Sequence, residues 1–218
     1  MAAAKAKAKK AATKAKAKPK AKKVVCTTCQ SCATRAAAHQ QQLANEKDTL
    51  TPAQQKDLDN FKAHYEANQA HYQDLANQTG VPAPLIAALH WRESDGGSFG
   101  VYLANGQALG KTTTIVPKGM TFKKGQFDDA AKQAIKLEKA CQTALGMTKD
   151  TTDRSKIAAY AEHWNGLGYA EHGMTSPYVY AGTNQYTSGL YTSDGNLSTT
   201  TVDGRPGVMP LYDSVAGP

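Results

Sequence analysis

The chain has 218 residues, 40% of them hydrophobic, with 26 Lys and Arg against 18 Asp and Glu and a formal net charge of +8. That length supports one domain with a sizeable core plus appendages, and no stretch approaches the ~20 apolar residues of a membrane span. Ten of the lysines and no acid lie in residues 1–23, which leaves 16 basic residues against 18 acidic ones from Val24 onward, so nothing beyond residue 23 argues for nucleic-acid binding.

Residues 1–23 are Ala-Lys repeats broken by Pro19. They lack the apolar residues of a core and read as a disordered tail. Their charge suits DNA phosphates, an anionic membrane surface or a solvated tether. No apolar run of signal-peptide length follows, so the segment does not read as a secretory leader. Residues 24–50 read as a Cys-containing linker, Ala- and Gln-rich from 33, with at most a weak helix. Cys26, Cys29 and Cys32 make two overlapping C-x-x-C spacings. Such thiols either grip a metal, with His39 the nearest fourth ligand, or form local or inter-chain disulfides outside the cytoplasm. Cys141 shares an apolar stripe with Ala130, Ala134, Leu137 and Leu145 and reads as core filling.

Thr51-Pro52 opens a helix, with Thr51 as N-cap, Pro52 in the first turn and Gln54 at the capping-box position. Leu58, Phe61, Tyr65, Tyr72 and Leu75 make its buried stripe up to Gly80. Residues 82–92 form a second helix, in which Leu85, Ile86, Leu89 and Glu93 recur at helical spacing. Glu93 therefore shares a face with core residues at the wet end of a buried helix, beside Trp91. Those surroundings suit a general acid; the competing reading is a surface glutamate near a helix end. Residues 96–126 are dense in turn signals and read as loops with a short hairpin. Lys111-Thr112 lacks the glycine spacing of a phosphate loop. Helices follow from Phe127 to about Leu145 and from Asp153, with Ile157, Tyr160, Ala161 and Trp164 inward. Glu162 and Asn165 are three apart and so expected on one face. The tyrosines of 176–191, set among Ser, Thr, Asn and Gln, suit sugar faces and hydroxyls or an ordinary ordered loop. Residues 192–218 read as loop, with one short turn around Val208 to Val215.

Two stretches carry a resemblance. Residues 81–99, with a Glu-Ser pair ending the helix, resemble the catalytic helix of lysozyme-like, lytic-transglycosylase-like peptidoglycan-degrading enzymes. Residues 162–195 read Glu-x-x-Asn-Gly-x-Gly-Tyr, then Ser-Pro-Tyr, Gly-Thr-Asn-x-Tyr, Gly-x-Tyr and Asp-Gly. They resemble the second half of a phage and bacterial branch of that group. The resemblance implies a mainly α, lysozyme-like helical domain over residues 51–218, with long loops and a glycan cleft between lobes. By the same resemblance Glu93 maps onto the general acid, and Asn165, Tyr169, Ser176, Tyr178 and Tyr186 onto substrate-binding positions. For a second carboxylate Glu162, Asp95 and Asp129 are candidates; Glu162 is favoured because it falls in the motif block. The implied partner is bacterial peptidoglycan, with no cofactor and no metal, in a phage-encoded, virion-associated protein or one acting in the host cytoplasm or periplasm. The tail would reach DNA or an anionic membrane. The rivals are a non-catalytic glycan-binding module and a DNA-associated virion structural protein.

Overall fold

A helix buried on every side organises the core. The computed structural model describes residues 32–193 and 195–217; the expectations for the basic tail and for Cys26 and Cys29 lie outside them. The central helix is α3, Ala83–Ser94, with ten of its twelve residues buried, from Ala83 through Glu93. A helix apolar on most of its surface has to be enclosed by others. Here α2 (Pro52–Thr79) and α9 (Val208–Ala216) pack on it.

The caps read from the sequence set α2. Thr51 Oγ1 accepts from the Gln54 N–H, and the Gln54 side chain accepts from the Thr51 N–H in return. Gly80 ends the helix in the left-handed region at φ 74°, where glycine carries no Cβ penalty. The predicted stripe of Leu58, Phe61, Tyr65, Tyr72 and Leu75 is buried. Tyr72 joins a hydrogen-bonded chain into α3. Its hydroxyl lies 2.8 Å from Nδ1 of His90, whose Nε2 donates to the Ser98 carbonyl at 2.9 Å. A carbonyl only accepts, so Nε2 carries the proton and Nδ1 accepts from Tyr72. Burial pushes the His90 imidazole down to about 4.

Three segments depart from the sequence reading. The helix expected from Phe127 to Leu145 is broken at Glu138 into α4 (Phe127–Leu137) and α5 (Lys139–Ala144). The Glu138 N–H turns back to the Ile135 carbonyl in a tightened last turn. Leu137, assigned to the buried stripe, is consequently 44% exposed. Residues 33–50 are not a linker throughout: α1 (Cys32–Leu43) packs along α6 (Arg154–Asn165). Its two basic residues explain the docking, as described below. Cys141 is not simply core filling; it forms a disulfide with Cys32 across 109 residues, tying α1 to α5. The turn expected near the C-terminus is the helix α9, burying Val208, Met209, Leu211 and Tyr212.

Asp153 caps α6 as expected, accepting from the Ser155 N–H, and Ile157, Tyr160, Ala161 and Trp164 are buried. Two short helices follow, α7 (Gly168–Glu171) and α8 (Pro177–Tyr180), then an antiparallel hairpin of β1 (Leu190–Ser193) and β2 (Asn196–Ser198). The long segment between α3 and α4 folds back on itself through isolated bridges, Val101 with Ala108 and Thr112 with Thr121. Among the described residues the protein is mainly helical, and no helix is long and apolar enough to cross a membrane.

Candidate active site

Glu93 sits on the last turn of α3 and is 9% exposed. Directly after it Ser94 turns its hydroxyl back to the His90 carbonyl (2.6 Å) and accepts from the Gly97 N–H (2.7 Å). Asp95 then takes the left-handed region at φ 53° and ends the helix. The turn at Asn105-Gly106 closes over this end. A Cβ at position 106 would collide with the Glu93 carbonyl, so glycine is needed for the approach.

Two donors from distant elements meet on one oxygen of the Glu93 carboxyl. Trp164 Nε1 on α6 donates to Oε1 at 3.3 Å, and the Tyr178 hydroxyl on α8 donates to the same atom at 3.0 Å. Burial, reinforced by the neighbouring Glu93, pushes the Tyr178 phenol well above its ordinary value, so it stays a donor. Beneath the Tyr178 ring lies the Arg92 guanidinium, 5.0 Å from its centroid. Arg92 in turn donates to Asp203 (2.8 Å) and to the Pro206 carbonyl (3.0 Å). Burial alone would lower the Arg92 guanidinium, but the Asp203 carboxylate more than offsets it and the net direction is upward. Arg205 also bonds both Asp203 oxygens. Sequence reasoning missed Arg92 and Asp203. An arginine inside an apolar helical run, one residue before the glutamate, together with an Asp-Gly-Arg-Pro-Gly turn at 203–207, was the available signal.

A groove of about 210 Å³ shares Trp164 with this centre, while Glu93 itself does not line it. Its floor and walls are Ala104, Ala134, Trp164, Asn165 and Gly166, and at its rim Val116 and Leu137 are 51% and 44% exposed. Trp164 thus serves the groove with its ring and Glu93 with its N–H. Glu138 and His163, hydrogen-bonded to each other through Nδ1, also line it.

No family model, curated protein or solved structure matches the chain.

The predicted site residues separate in space. Tyr178 reaches Glu93, and Asn165 lines the groove. Glu162 does not lie with Asn165. Two residues before Trp164, its side chain leaves α6 on roughly the opposite side and is 1% exposed against α1. Arg35 Nε and Nη2 donate to its two oxygens at 2.5 and 2.7 Å, and His39 Nε2 donates at 3.0 Å. Burial pushes the Glu162 carboxyl up, but the hydrogen bonds from His39 and Arg35 outweigh it, and the net direction is below its ordinary 4.5. Tyr169 and Tyr186 spend their hydroxyls inside the fold. The first accepts from the Tyr191 N–H at 3.0 Å, and the second accepts from the Asp203 N–H at 3.0 Å and donates to the Gly189 carbonyl. Ser176 precedes α8, and its Oγ is buried with no hydrogen-bond partner among the described residues. Asp95 approaches Arg205 at 3.5 Å, and Asp129 pairs with Lys132 on the exposed face of α4.

Proposed function

We propose that this chain cleaves the glycan strand of bacterial peptidoglycan, as a muramidase or lytic transglycosylase, through Glu93 acting as general acid in a lysozyme-like helical domain. One observation carries the reading. The two stretches that bear the resemblance, separated by more than sixty residues, converge on a single carboxyl oxygen, because Trp164 and Tyr178 of the second stretch hold Glu93 of the first. A held, largely buried carboxyl, one side chain away from an apolar groove with an amide in its lining, supports a role in protonating a glycosidic oxygen. Asn165 supplies the amide for a sugar hydroxyl, and the Trp164 ring supplies an apolar surface.

The environment of the other carboxylates favours the transglycosylase form. An inverting or retaining hydrolase places a second carboxylate across the scissile bond. Of the candidates, Glu162 is bound by Arg35 and His39, Asp95 sits at the helix cap near Arg205, and Asp129 is on the surface. In a transglycosylase the sugar's own hydroxyl attacks the anomeric carbon. The leaving oxygen takes the Glu93 proton, and the resulting carboxylate recovers a proton from the attacking hydroxyl, so one group serves both halves. The setting is that of a phage protein, virion-associated or acting in the host cytoplasm or periplasm, with its basic tail on DNA or an anionic membrane.

Glu93→Gln tests this reading in a cell-wall zymogram paired with a wall-pelleting assay. The variant is expected to pellet with walls and leave no cleared zone. A wild-type protein that pellets but does not clear would mean a glycan-binding module instead.

A further inference from the structure

The disulfide lies against the Glu138–His163 pair, and the resemblance gives none of these four residues a role. Cys32 opens α1, Cys141 is in α5 and His163 is in α6, so three separate elements bring one ligand atom each to a single point. Those three atoms lie within 4.8 Å of one another. The cysteine Cα atoms are 5.5 Å apart. That separation also lets two thiolates spread to the ~3.8 Å that a tetrahedral zinc with ~2.3 Å bonds to sulfur demands. His163 is already bonded by a carboxylate, Glu138, which is the usual arrangement behind a metal-ligating imidazole. Both residues line the groove, so an ion has a route in from solvent. Cys32 and Cys141 themselves are 7% and 2% exposed, which keeps competing water off the sulfurs.

We propose that Cys32, Cys141 and His163 form a zinc site when the disulfide is reduced, so that the same two sulfurs staple α1 to α5 covalently under oxidising conditions and through a metal under reducing ones. A dithiol reductant supplies two electrons and two protons. The Cys32–Cys141 bond breaks, two thiols form, and the reductant leaves as its own disulfide. Zinc then displaces both thiol protons and accepts the imidazole lone pair, and water completes the fourth position. The ligand set of two thiolates and one histidine selects zinc or its spectroscopic stand-in cobalt over hard cations. The upstream Cys26 and Cys29 are the competing source of thiolates, with Cys32 as the third member of their run.

The test uses the full chain carrying Cys26→Ser and Cys29→Ser, dialysed against zinc after reduction, with bound metal measured by mass spectrometry and cobalt uptake by absorbance. The proposal expects one zinc per reduced chain, less than about a tenth of that in the oxidised chain, and a thiolate-to-cobalt charge-transfer band. His163→Ala in this background should abolish stoichiometric uptake, and Glu138→Gln should weaken it about 10- to 100-fold. Circular dichroism on each reduced variant separates lost ligands from lost fold. A reduced Cys26→Ser/Cys29→Ser chain that is folded yet takes up no metal would overturn the proposal. So would full uptake by its folded His163→Ala derivative.

Discussion

Glu93 is held by two neutral donors, with a buried guanidinium close by. Trp164 and Tyr178 fix one oxygen, while Arg92 acts from below, through the Tyr178 ring. If Glu93 is the acid, Glu93→Gln should fold normally and lose about two to four orders of magnitude in wall cleavage; turnover on purified walls checks it. Tyr178→Phe removes one hydrogen bond on Glu93, a bond that strengthens to roughly 1.5–3 kcal/mol as the carboxylate forms on proton transfer. It should lower kcat by about 10- to 100-fold with KM little changed, measured on a soluble glycan oligomer. The position of Glu93 at the buried end of a helix was legible in the sequence, because an apolar helix running into a lone carboxylate and a glycine turn is a local pattern. The burial of Glu162 against α1 was not recoverable that way. Three-residue spacing puts Glu162 and Asn165 near each other on an isolated helix, but which side meets solvent depends on what packs there. Arg35 and His39, four apart in an otherwise Ala- and Gln-rich run, were the sign that a basic helical face awaited an acid.

Helix α1 is attached to the body by that acid. Taking away Arg35 leaves a buried carboxylate with only His39, so Arg35→Met should cost roughly 3 kcal/mol, and Arg35→Met with Glu162→Met should recover most of it; urea unfolding of both variants decides. The pH signs differ in range but not in direction. Glu162 titrates lower folded than unfolded, so its contribution is present above 4.5 and is lost as pH falls below it. His90 falls from 6.5 to about 4 on folding. Between those values the unfolded chain binds the extra proton, and stability drops as pH falls, by about 3 kcal/mol over the interval. Thermal unfolding from pH 7 to 4 should show this slope, and His90→Gln should flatten it while Glu162 still acts below 4.5. At this scale caps carried the information. Thr51, Gly80 and Asp153 bounded their helices correctly, since capping is a local matter of hydrogen bonds and φ. The break at Glu138 and the helix α9 were not visible, because each is settled by tertiary contacts: His163 for the first, and burial against α3 for the second.

The whole molecule couples a covalent staple, a charged clamp and a central helix. The disulfide closes a loop of 109 residues, so in chain-entropy terms its removal costs about 4–5 kcal/mol. Cys141→Ser without added metal should lower the urea midpoint accordingly. The pairing could not be read from the sequence, where Cys32 stood beside two nearer thiols and Cys141 fitted an apolar stripe. Charge, by contrast, divides plainly along the chain. Deleting residues 1–23 should leave cleavage of a soluble glycan unchanged and abolish salt-sensitive binding to DNA or anionic vesicles; vesicle and DNA titrations against salt check this. The proposed function has Glu93 cleave peptidoglycan with no second carboxylate. Mass spectrometry of the fragments released from purified peptidoglycan tests it most directly, since anhydro and reducing ends differ in mass by one water. The account predicts anhydro ends from the wild-type chain and none from Glu93→Gln; reducing ends alone, or equal release by the variant, would contradict it.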